Sequence, residues 1–225
     1  MSRSTLAYLG QTQVGVDGLK IAAQHADVIC AITGPPPRHG DPTLDVAAAE
    51  LGIPCSVDLT TLPECDYILS VQYGRILQSR HIRQARKLAM NLHLAPLPEY
   101  RGCNQFSWAI VDGAEEFGAT LHVMDEGIDS GAILAERRFP LGPNAWVYDL
   151  KRTTEKAGLL VLEESLPKIL AGDVDPRPQE GPGSFHVRAD IAQLKRIDLA
   201  WPEAKRLRYV RATAMPGYPG PEFYV

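Results

Sequence analysis

Short apolar segments of strand length alternate with segments of helical pattern along the first 172 residues, and this alternation limits the fold more than any other feature of the chain. The first five strand-like segments comprise residues 5–9, 27–33, 53–57, 65–71 and 89–93. Strands that alternate with helices form βαβ units, in which the strands are parallel. We therefore predict an α/β fold with a doubly wound, mostly parallel sheet.

The helical patterns predict helices at about residues 16–25, 43–51, 76–87, 103–112 and 144–162. Two later strand-like segments, residues 119–124 and 132–139, flank a Gly-containing turn and predict a hairpin. The Pro- and Gly-rich residues 34–42 predict a surface loop, with Asp41 or Thr43 as the cap of the next helix.

Pro and Gly become dense from Asp173 onward, and the remaining segments are short. We divide the chain into a core domain, residues 1–172, and an appendage of short strands and one helix, residues 173–225. The appendage is too short to bury a sizeable core of its own.

Composition excludes several classes of protein. The 225 residues carry a formal net charge of −4, whereas nucleic-acid binders usually present a basic surface. No apolar run reaches the ~18 residues that span a bilayer, and no signal-peptide layout is present. The four cysteines show neither CxxC spacing nor a paired His pattern, so we expect reduced thiols and no metal site. These features predict a cytoplasmic protein with neither a nucleic-acid nor a membrane partner.

Polar side chains interrupt the apolar segment 89–93 at its carboxyl end. Asn91 and His93 lie two residues apart, so they share one face of the strand. Asp129 lies in a turn flanked by Gly127 and Gly131, from which a carboxylate can orient the imidazole. Because ligands gather at the carboxyl ends of parallel strands, we predict a catalytic site there. His122 is interpreted as a core histidine or one that supports the site.

An amide donor, an imidazole and a carboxylate are suited to acyl transfer onto a nucleophile that the substrate supplies. No Ser or Cys lies in a nucleophile-elbow sequence, which argues against a covalent enzyme intermediate. The first loop, GQTQVG, matches neither GxGxxG nor a P-loop, which argues against a dinucleotide oxidoreductase.

Two runs, NLHLAPLPEYRGCNQFSWAI and GATLHVMDEGIDSGAIL, resemble the catalytic core of the folate-dependent formyltransferases. The resemblance covers roughly residues 5–171 and implies a Rossmann-like formyltransferase core. It also implies 10-formyltetrahydrofolate as donor and a primary amine as acceptor, with no metal. In that family Asn91 would bind the formyl oxygen, His93 would polarise the carbonyl or relay a proton, and Asp129 would fix His93.

The resemblance also implies where the folate lies. Its pterin would contact two loops, which contain the residues Arg75, Ile76, Leu77, Glu126, Gly127 and Ile128. Position in the chain predicts acceptor contacts at Gln11, Thr12, Tyr100, Arg101, Asn104 and Gln105. For Arg101, phosphate binding and bracing of its loop are both open. Leu94 departs from the small residue that usually follows the catalytic His in the family.

The ending, IDLAWPEAKRLRYVRATAMPGYPGPEFYV, resembles the sugar N-formyltransferases of that family. Methionyl-tRNA formyltransferases carry a longer C-terminal domain. We therefore expect a nucleotide-linked amino sugar as acceptor, such as a dTDP- or GDP-linked 4-amino-4,6-dideoxyhexose. Glycinamide ribonucleotide or another small amine is the alternative, and a non-catalytic folate or nucleotide-sugar binding module is the second. We also expect a homodimer, paired through the C-terminal strands.

Overall fold

A seven-stranded sheet forms the centre of the computed structural model, which describes residues 3–34 and 43–225. Most of the predicted loop 34–42, including Asp41, lies outside the described residues. The strands are β1 (Thr5–Gly10), β2 (Asp27–Thr33), β3 (Cys55–Ser56), β4 (Cys65–Val71), β5 (Ala85–His93), β6 (Arg101–Gly102), β7 (Glu116–Val123), β8 (Ile133–Pro140), β9 (Phe185–His186), β10 (Arg196–Asp198) and β11 (Glu222–Tyr224).

The strand order in the large sheet is β3-β2-β1-β4-β5-β7-β8. The first five strands in this order run parallel to one another, whereas β5 and β7, and β7 and β8, are antiparallel pairs. The predicted mostly parallel α/β sheet and the predicted hairpin are therefore confirmed. The registers align Gly10 with Thr33 and with Val71, so the carboxyl ends of these strands meet at one edge of the sheet.

The helices are α1 (Thr12–His25), α2 (Leu44–Glu50), α3 (Ser79–Ile82), α4 (Gln105–Asp112), α5 (Val147–Leu170), α6 (Ile191–Leu194) and α7 (Glu203–Thr213). Helices α1, α2 and α5 cover one face of the sheet and share the largest apolar core with it. Leu19 of α1 and Leu162 of α5 are fully buried in this core. Burial of each such side chain contributes about 1.5–3 kcal/mol to the stability of the fold.

The opposite face of the sheet has a thinner cover. A short 3-10 helix, Leu59–Thr61, and the single turn of α3 pack near the buried Ala7, Leu9 and Ile68. The predicted helix 76–87 is therefore wrong except for α3.

Strand β5 takes the place of the rest of that predicted helix. It begins at Ala85 rather than at residue 89 and pairs from there with β4. The ladder with β4 outweighs the helix propensity of this segment, since tertiary context overrides propensity. His81 of α3 is buried, and its Nδ1 accepts a hydrogen bond from the Gln78 N–H.

Helix α5 continues past Pro167 and ends at Leu170. Gly172 follows it with a φ of +80°, and its N–H donates to the Ile169 carbonyl. A residue without a Cβ adopts this left-handed conformation without steric cost, which explains why the helix ends here. None of the helices in residues 3–34 and 43–225 combines the length and apolar composition needed to span a membrane.

The appendage packs onto the core rather than standing apart. Strand β9 pairs in parallel with β6, and Arg177 forms an isolated bridge with Ile133 of β8. Helix α7 packs against α4, and β10 pairs with β11 in a separate two-stranded sheet. The segments after residue 172 therefore form one wall beside the carboxyl end of the large sheet.

Candidate active site

A cleft of about 900 Å³ opens where the carboxyl ends of the strands meet the appendage. Its sheet side, as we call it, consists of the segments that follow β1, β4, β5 and β7, including Asn91, His93 and Asp129. Its helix side consists of α5, α6, α7 and the turn before α6, with Val147, Lys151, Arg188, Ile191, Lys195, Ala212, Thr213, Met215 and Tyr218.

Strand β5 places Asn91 and His93 on the sheet side of the cleft. Residues two apart on a strand point to one face, whereas Leu92 and Leu94 are buried in the core beneath α5. The antiparallel pairing with β7 sets Asn91 opposite His122 and His93 opposite Thr120. The predicted side-by-side arrangement of the amide and the imidazole is therefore present.

His93 is held in a defined orientation by a backbone carbonyl. Its Nε2 lies 2.7 Å from the Tyr100 carbonyl oxygen, which only accepts, so Nε2 carries the proton. Its Nδ1 lies 3.5 Å from Asp129 Oδ2. The ring is 6% exposed, and burial lowers its pKa below 6.5, although Asp129 and the Tyr100 carbonyl partly oppose this. At neutral pH, His93 is therefore an uncharged imidazole with a free lone pair on Nδ1.

Asp129 remains ionised despite being largely buried. Burial by itself would raise its pKa, but the neighbouring imidazoles of His93 and His122 and the Gly102 N–H outweigh burial and lower the pKa to about 2. The Gly102 N–H donates to Asp129 Oδ2 at 2.9 Å. A carboxylate beside a neutral imidazole stabilises the imidazolium that forms when Nδ1 takes up a proton.

The turn that carries Asp129 is built on an unusual backbone. Asp129 has a φ of +51°, and Gly131 approaches so closely that a Cβ there would lie 1.9 Å from the Val123 carbonyl oxygen. Gln179 of the appendage donates its amide hydrogens to the carbonyls of both Asp129 and Gly131, at 2.8 Å each. The appendage therefore holds the turn that carries Asp129 in position.

His122 is a member of the site whose contact with Asn91 the sequence reasoning did not identify. It is 2% exposed, and its Nδ1 donates to its neighbour's carbonyl, Val123 O, at 2.8 Å. In the neutral ring, Nε2 accepts a hydrogen bond from Asn91 Nδ2 at 3.1 Å, and it also lies 3.5 Å from Asp129 Oδ1. This contact orients the Asn91 amide and leaves its second amide hydrogen for a bound molecule. Asn91 lies on β5 and His122 on β7, and the pairing of these two strands is the signal that could have placed His122 here.

Five of the six predicted folate contacts line the sheet side of the cleft: Arg75, Ile76, Leu77, Gly127 and Ile128. Glu126 is not part of the cleft lining, and its Oε1 accepts a hydrogen bond from Ser79 Oγ at 2.8 Å; its contact with the folate stays a prediction. The side chains of Ile76 and Ile128 are 72% and 40% exposed. Exposed apolar groups beside a cleft are suited to contact with a flat ring.

Four of the six predicted acceptor contacts also line the cleft: Gln11, Thr12, Asn104 and Gln105. Tyr100 and Arg101 do not line it, and their contact with the acceptor stays a prediction. The Tyr100 ring is buried with its centroid 5.5 Å from that of Phe117. Arg101 donates from Nε and Nη2 to Gln179 Oε1 at 3.0 and 2.7 Å, an arrangement that favours bracing over phosphate binding.

Metal chemistry has no donor set in the part of the chain that the structure describes. There, no group of three or more His, Cys, Asp or Glu side chains is arranged to hold a metal ion.

Asn91, His93 and Asp129 form an amide donor, a proton acceptor and an anion around one side of a cleft. Together they can position and deprotonate an amine that attacks a carbonyl carbon.

Comparison with known proteins identifies relatives across most of the chain. Residues 12–166 match the formyl transferase family. A methionyl-tRNA formyltransferase from Sorangium cellulosum is 32% identical over 95% of this chain and 73% of its own length. A GDP-perosamine N-formyltransferase from Brucella melitensis is 34% identical over 68% of this chain and 59% of its own length.

The fold is also shared with solved structures. An N-formyltransferase from Helicobacter canadensis, solved in complex with folinic acid and dTDP-3-aminofucose, superposes with a TM-score of 0.78. It is 21% identical in sequence, and the match covers 94% of this chain and 80% of that protein.

Proposed function

Since the chain belongs to the formyl transferase family and is an N-formyltransferase, we propose that it transfers a formyl group from 10-formyltetrahydrofolate to the amino group of a nucleotide-linked amino sugar. The observation that carries the proposal is the arrangement of Asn91, His93 and Asp129 on one side of the cleft. A dTDP- or GDP-linked 4-amino-4,6-dideoxyhexose is the acceptor class that we favour.

The folate supplies the formyl group when it is bound. Arg75, Ile76 and Leu77 on one loop and Gly127 and Ile128 on the other would hold it, since their backbone and exposed apolar side chains line the sheet side of the cleft. A cleft of this kind combines apolar contact for a flat ring with a few polar groups that fix its orientation.

The side chains of the site divide the work of the transfer. One amide hydrogen of Asn91 contacts His122, and Asn91 donates the other to the formyl oxygen, where negative charge develops. The Nδ1 of His93 accepts the proton that the attacking amine loses. Asp129, which lies 3.5 Å from Nδ1, stabilises the imidazolium until the proton passes to the folate nitrogen whose bond to the formyl carbon breaks, which releases tetrahydrofolate.

The identity of the acceptor rests on the relatives and on the charge of the chain. The match to the GDP-perosamine enzyme and the fold shared with the Helicobacter canadensis enzyme both favour a nucleotide-linked amino sugar. The net charge of −4 disfavours a large nucleic-acid surface. Methionyl-tRNA is the second candidate, because the Sorangium cellulosum relative matches nearly the whole chain.

An acceptor panel tests the proposal. The purified protein and 10-formyltetrahydrofolate are incubated with GDP-perosamine, dTDP-3-aminofucose, glycinamide ribonucleotide or methionyl-tRNA, and release of tetrahydrofolate is measured. We expect turnover with at least one of the two nucleotide sugars. Turnover only with glycinamide ribonucleotide or methionyl-tRNA would refute the sugar acceptor. The absence of turnover with all four compounds would exclude each of them as the acceptor. Omission of each acceptor is the control for uncoupled folate hydrolysis.

We also propose that the protein is a homodimer. Strand β11 pairs with β10 on one side, and Phe223, Tyr224 and Val225 expose apolar side chains at the end of the chain. Exposed strand edges with apolar side chains are common sites of pairing with another chain. Light scattering should give twice the chain mass, and the substitution Phe223→Asp should shift it to the monomer mass. A monomeric wild-type mass would refute the proposal.

A further inference from the structure

Three cations lie on the helix side of the cleft, and the mechanism uses none of them. They are Lys151 of α5, Arg188 of the turn before α6 and Lys195 after α6. The two carboxylates that line the described cleft, Asp125 and Asp129, lie in the turn after β7 on the sheet side. The helix side of the described cleft therefore carries cations and no carboxylate, whereas the sheet side carries both carboxylates and one cation, Arg75.

The cations differ in their existing partners. Lys151 Nζ pairs with Glu155 Oε1 at 2.5 Å, one turn along the same helix, so its charge is partly satisfied. Within residues 3–34 and 43–225, neither Arg188 nor Lys195 forms an ion pair with a carboxylate. The nearby Asp190 accepts from the Val187 N–H and faces His186 rather than Arg188. Two cations in a protein of net charge −4 thus face a cleft without a counter-ion in the described structure.

The backbone around Arg188 is held by the core. Asn104, which precedes α4, donates its amide hydrogens to the carbonyls of Val187 and Arg188 at 2.9 and 3.2 Å. Helix α4 begins directly after Asn104 with neither an acidic residue in its first turn nor a side-chain cap, and Gln105 lines the cleft. Its first N–H groups add a partial positive charge to the cleft.

The apolar residues of the helix side define what accompanies the anion. Val147, Ile191, Ala212 and Met215 line the cleft beside the cations. Such a surface is suited to a compact group, such as a sugar ring or a base, and the cations are suited to adjacent phosphates.

From this juxtaposition we propose that Arg188 and Lys195, with Lys151 in support, bind the diphosphate of the acceptor. The proposal rests on the proposed function for the reaction itself, and it assigns acceptor recognition to the appendage. It replaces Arg101, which is engaged with Gln179, as the source of the phosphate contact. Phosphate oxygens bound here leave the amino sugar to extend toward His93.

Calorimetry on the whole protein tests the proposal without turnover. The probes are dTDP, GDP, inorganic pyrophosphate and the nucleosides thymidine and guanosine. We expect the diphosphates to bind and the nucleosides to bind more weakly or not at all. Each of the variants Arg188→Gln and Lys195→Gln should weaken diphosphate binding about 10-fold, since hydrogen bonds to charged groups are the stronger ones. The affinity should also fall as salt is raised.

Lys168→Gln is the matched control, because it removes one exposed cation from the far end of α5, outside the cleft lining. It should leave diphosphate affinity unchanged. Wild-type affinity in the double variant Arg188→Gln/Lys195→Gln, with an unchanged circular dichroism spectrum, would overturn the proposal. Loss of tRNA binding in that variant with unchanged diphosphate binding would overturn it as well, in favour of contact with a phosphodiester backbone.

The kinetics separate the two proposals. If a nucleotide sugar is formylated, the variants should raise KM for the sugar and leave kcat largely unchanged. An unchanged KM would refute the diphosphate site while the formylation stands. Diphosphate binding that depends on Arg188 and Lys195, without formylation of either sugar, would refute the acceptor while the anion site stands.

Discussion

The two sides of the cleft are built differently. On the sheet side, two imidazoles and a carboxylate are each fixed by a backbone group: His93 by the Tyr100 carbonyl, His122 by the Val123 carbonyl and Asp129 by the Gly102 N–H. On the helix side, the cations Arg188 and Lys195 are exposed and half-exposed, and nothing comparable holds their side chains in the described structure. The side chains of the sheet side are thus held in place without a ligand, whereas we expect the two cations of the helix side to be ordered by one.

This difference predicts whether a substitution changes kcat or KM. Changes on the sheet side should lower kcat, because preorganised groups act on the transition state. Changes on the helix side should raise KM, because they remove contacts made equally in the ground state and the transition state. A substitution on either side with the opposite effect would break the comparison.

The largest expected effect follows from His93→Asn. The amide cannot accept the proton of the attacking amine, so kcat should fall by ~10²–10⁴-fold. Steady-state kinetics with a saturating acceptor measures the effect, and the thermal midpoint of the variant checks that the fold survives. A kcat within a factor of two of wild type would show that His93 does not carry the proton.

A somewhat smaller effect is expected for Asn91→Ala, which removes the donor to the formyl oxygen. One such donor is worth ~10²–10³-fold in kcat. His122→Phe removes only the group that orients the Asn91 amide, so its loss in kcat should be smaller than that of Asn91→Ala. A greater loss in kcat for His122→Phe than for Asn91→Ala would indicate that His122 contacts the reacting groups itself.

Gly102→Ala tests whether the appendage supports the sheet side. Gly102 has a φ of +85°, and a Cβ there would lie 2.2 Å from the His186 carbonyl oxygen. The substitution should separate β6 from β9 and weaken the Gly102 bond to Asp129, with a loss of stability of ~2 kcal/mol or more. A chain of this size should then lose roughly 4–8 °C in Tm.

Gly142→Ala is the control for that substitution, because a Cβ at Gly142 meets no atom within 4 Å. Its stability should remain within ~0.5 kcal/mol of wild type. Equal Tm values for the two variants would mean that the β6–β9 contact contributes little to the fold.

The smallest effect concerns pH. His93 must be neutral to accept a proton, and burial lowers its pKa below 6.5. The value of kcat/KM should therefore be flat around neutral pH and fall only as the pH drops below 6.5, because protonation then removes the free lone pair. Asn91→Ala should lower the plateau without moving this acid limb. An acid limb centred above 6.5 would contradict the assignment of a neutral, buried His93.

Local pattern was enough to predict the sheet and the first two members of the site. Apolar strand segments that alternate with helices indicate parallel pairing, and the spacing of Asn91 and His93 sets them on one face because side chains alternate along a strand. Pattern failed for residues 76–87, where pairing of Ala85 with Cys65 extends β5 in place of a helix. The sequence of a short segment does not show which strand will pair with it in the folded chain.

The rest of the site depends on contacts between distant segments. His122 reaches Asn91 through the register of β5 and β7, Gln179 holds Asp129 from 50 residues away, and Arg188 joins the cleft through Asn104. Residue types and short spacings determine which face a side chain occupies, because backbone geometry is local. The hydrogen-bond partners of a charged group are determined only by the tertiary structure, because they come from distant segments of the chain. Arg101 is an example: its guanidinium binds Gln179, so we assign the proposed phosphate contact to cations of the appendage instead.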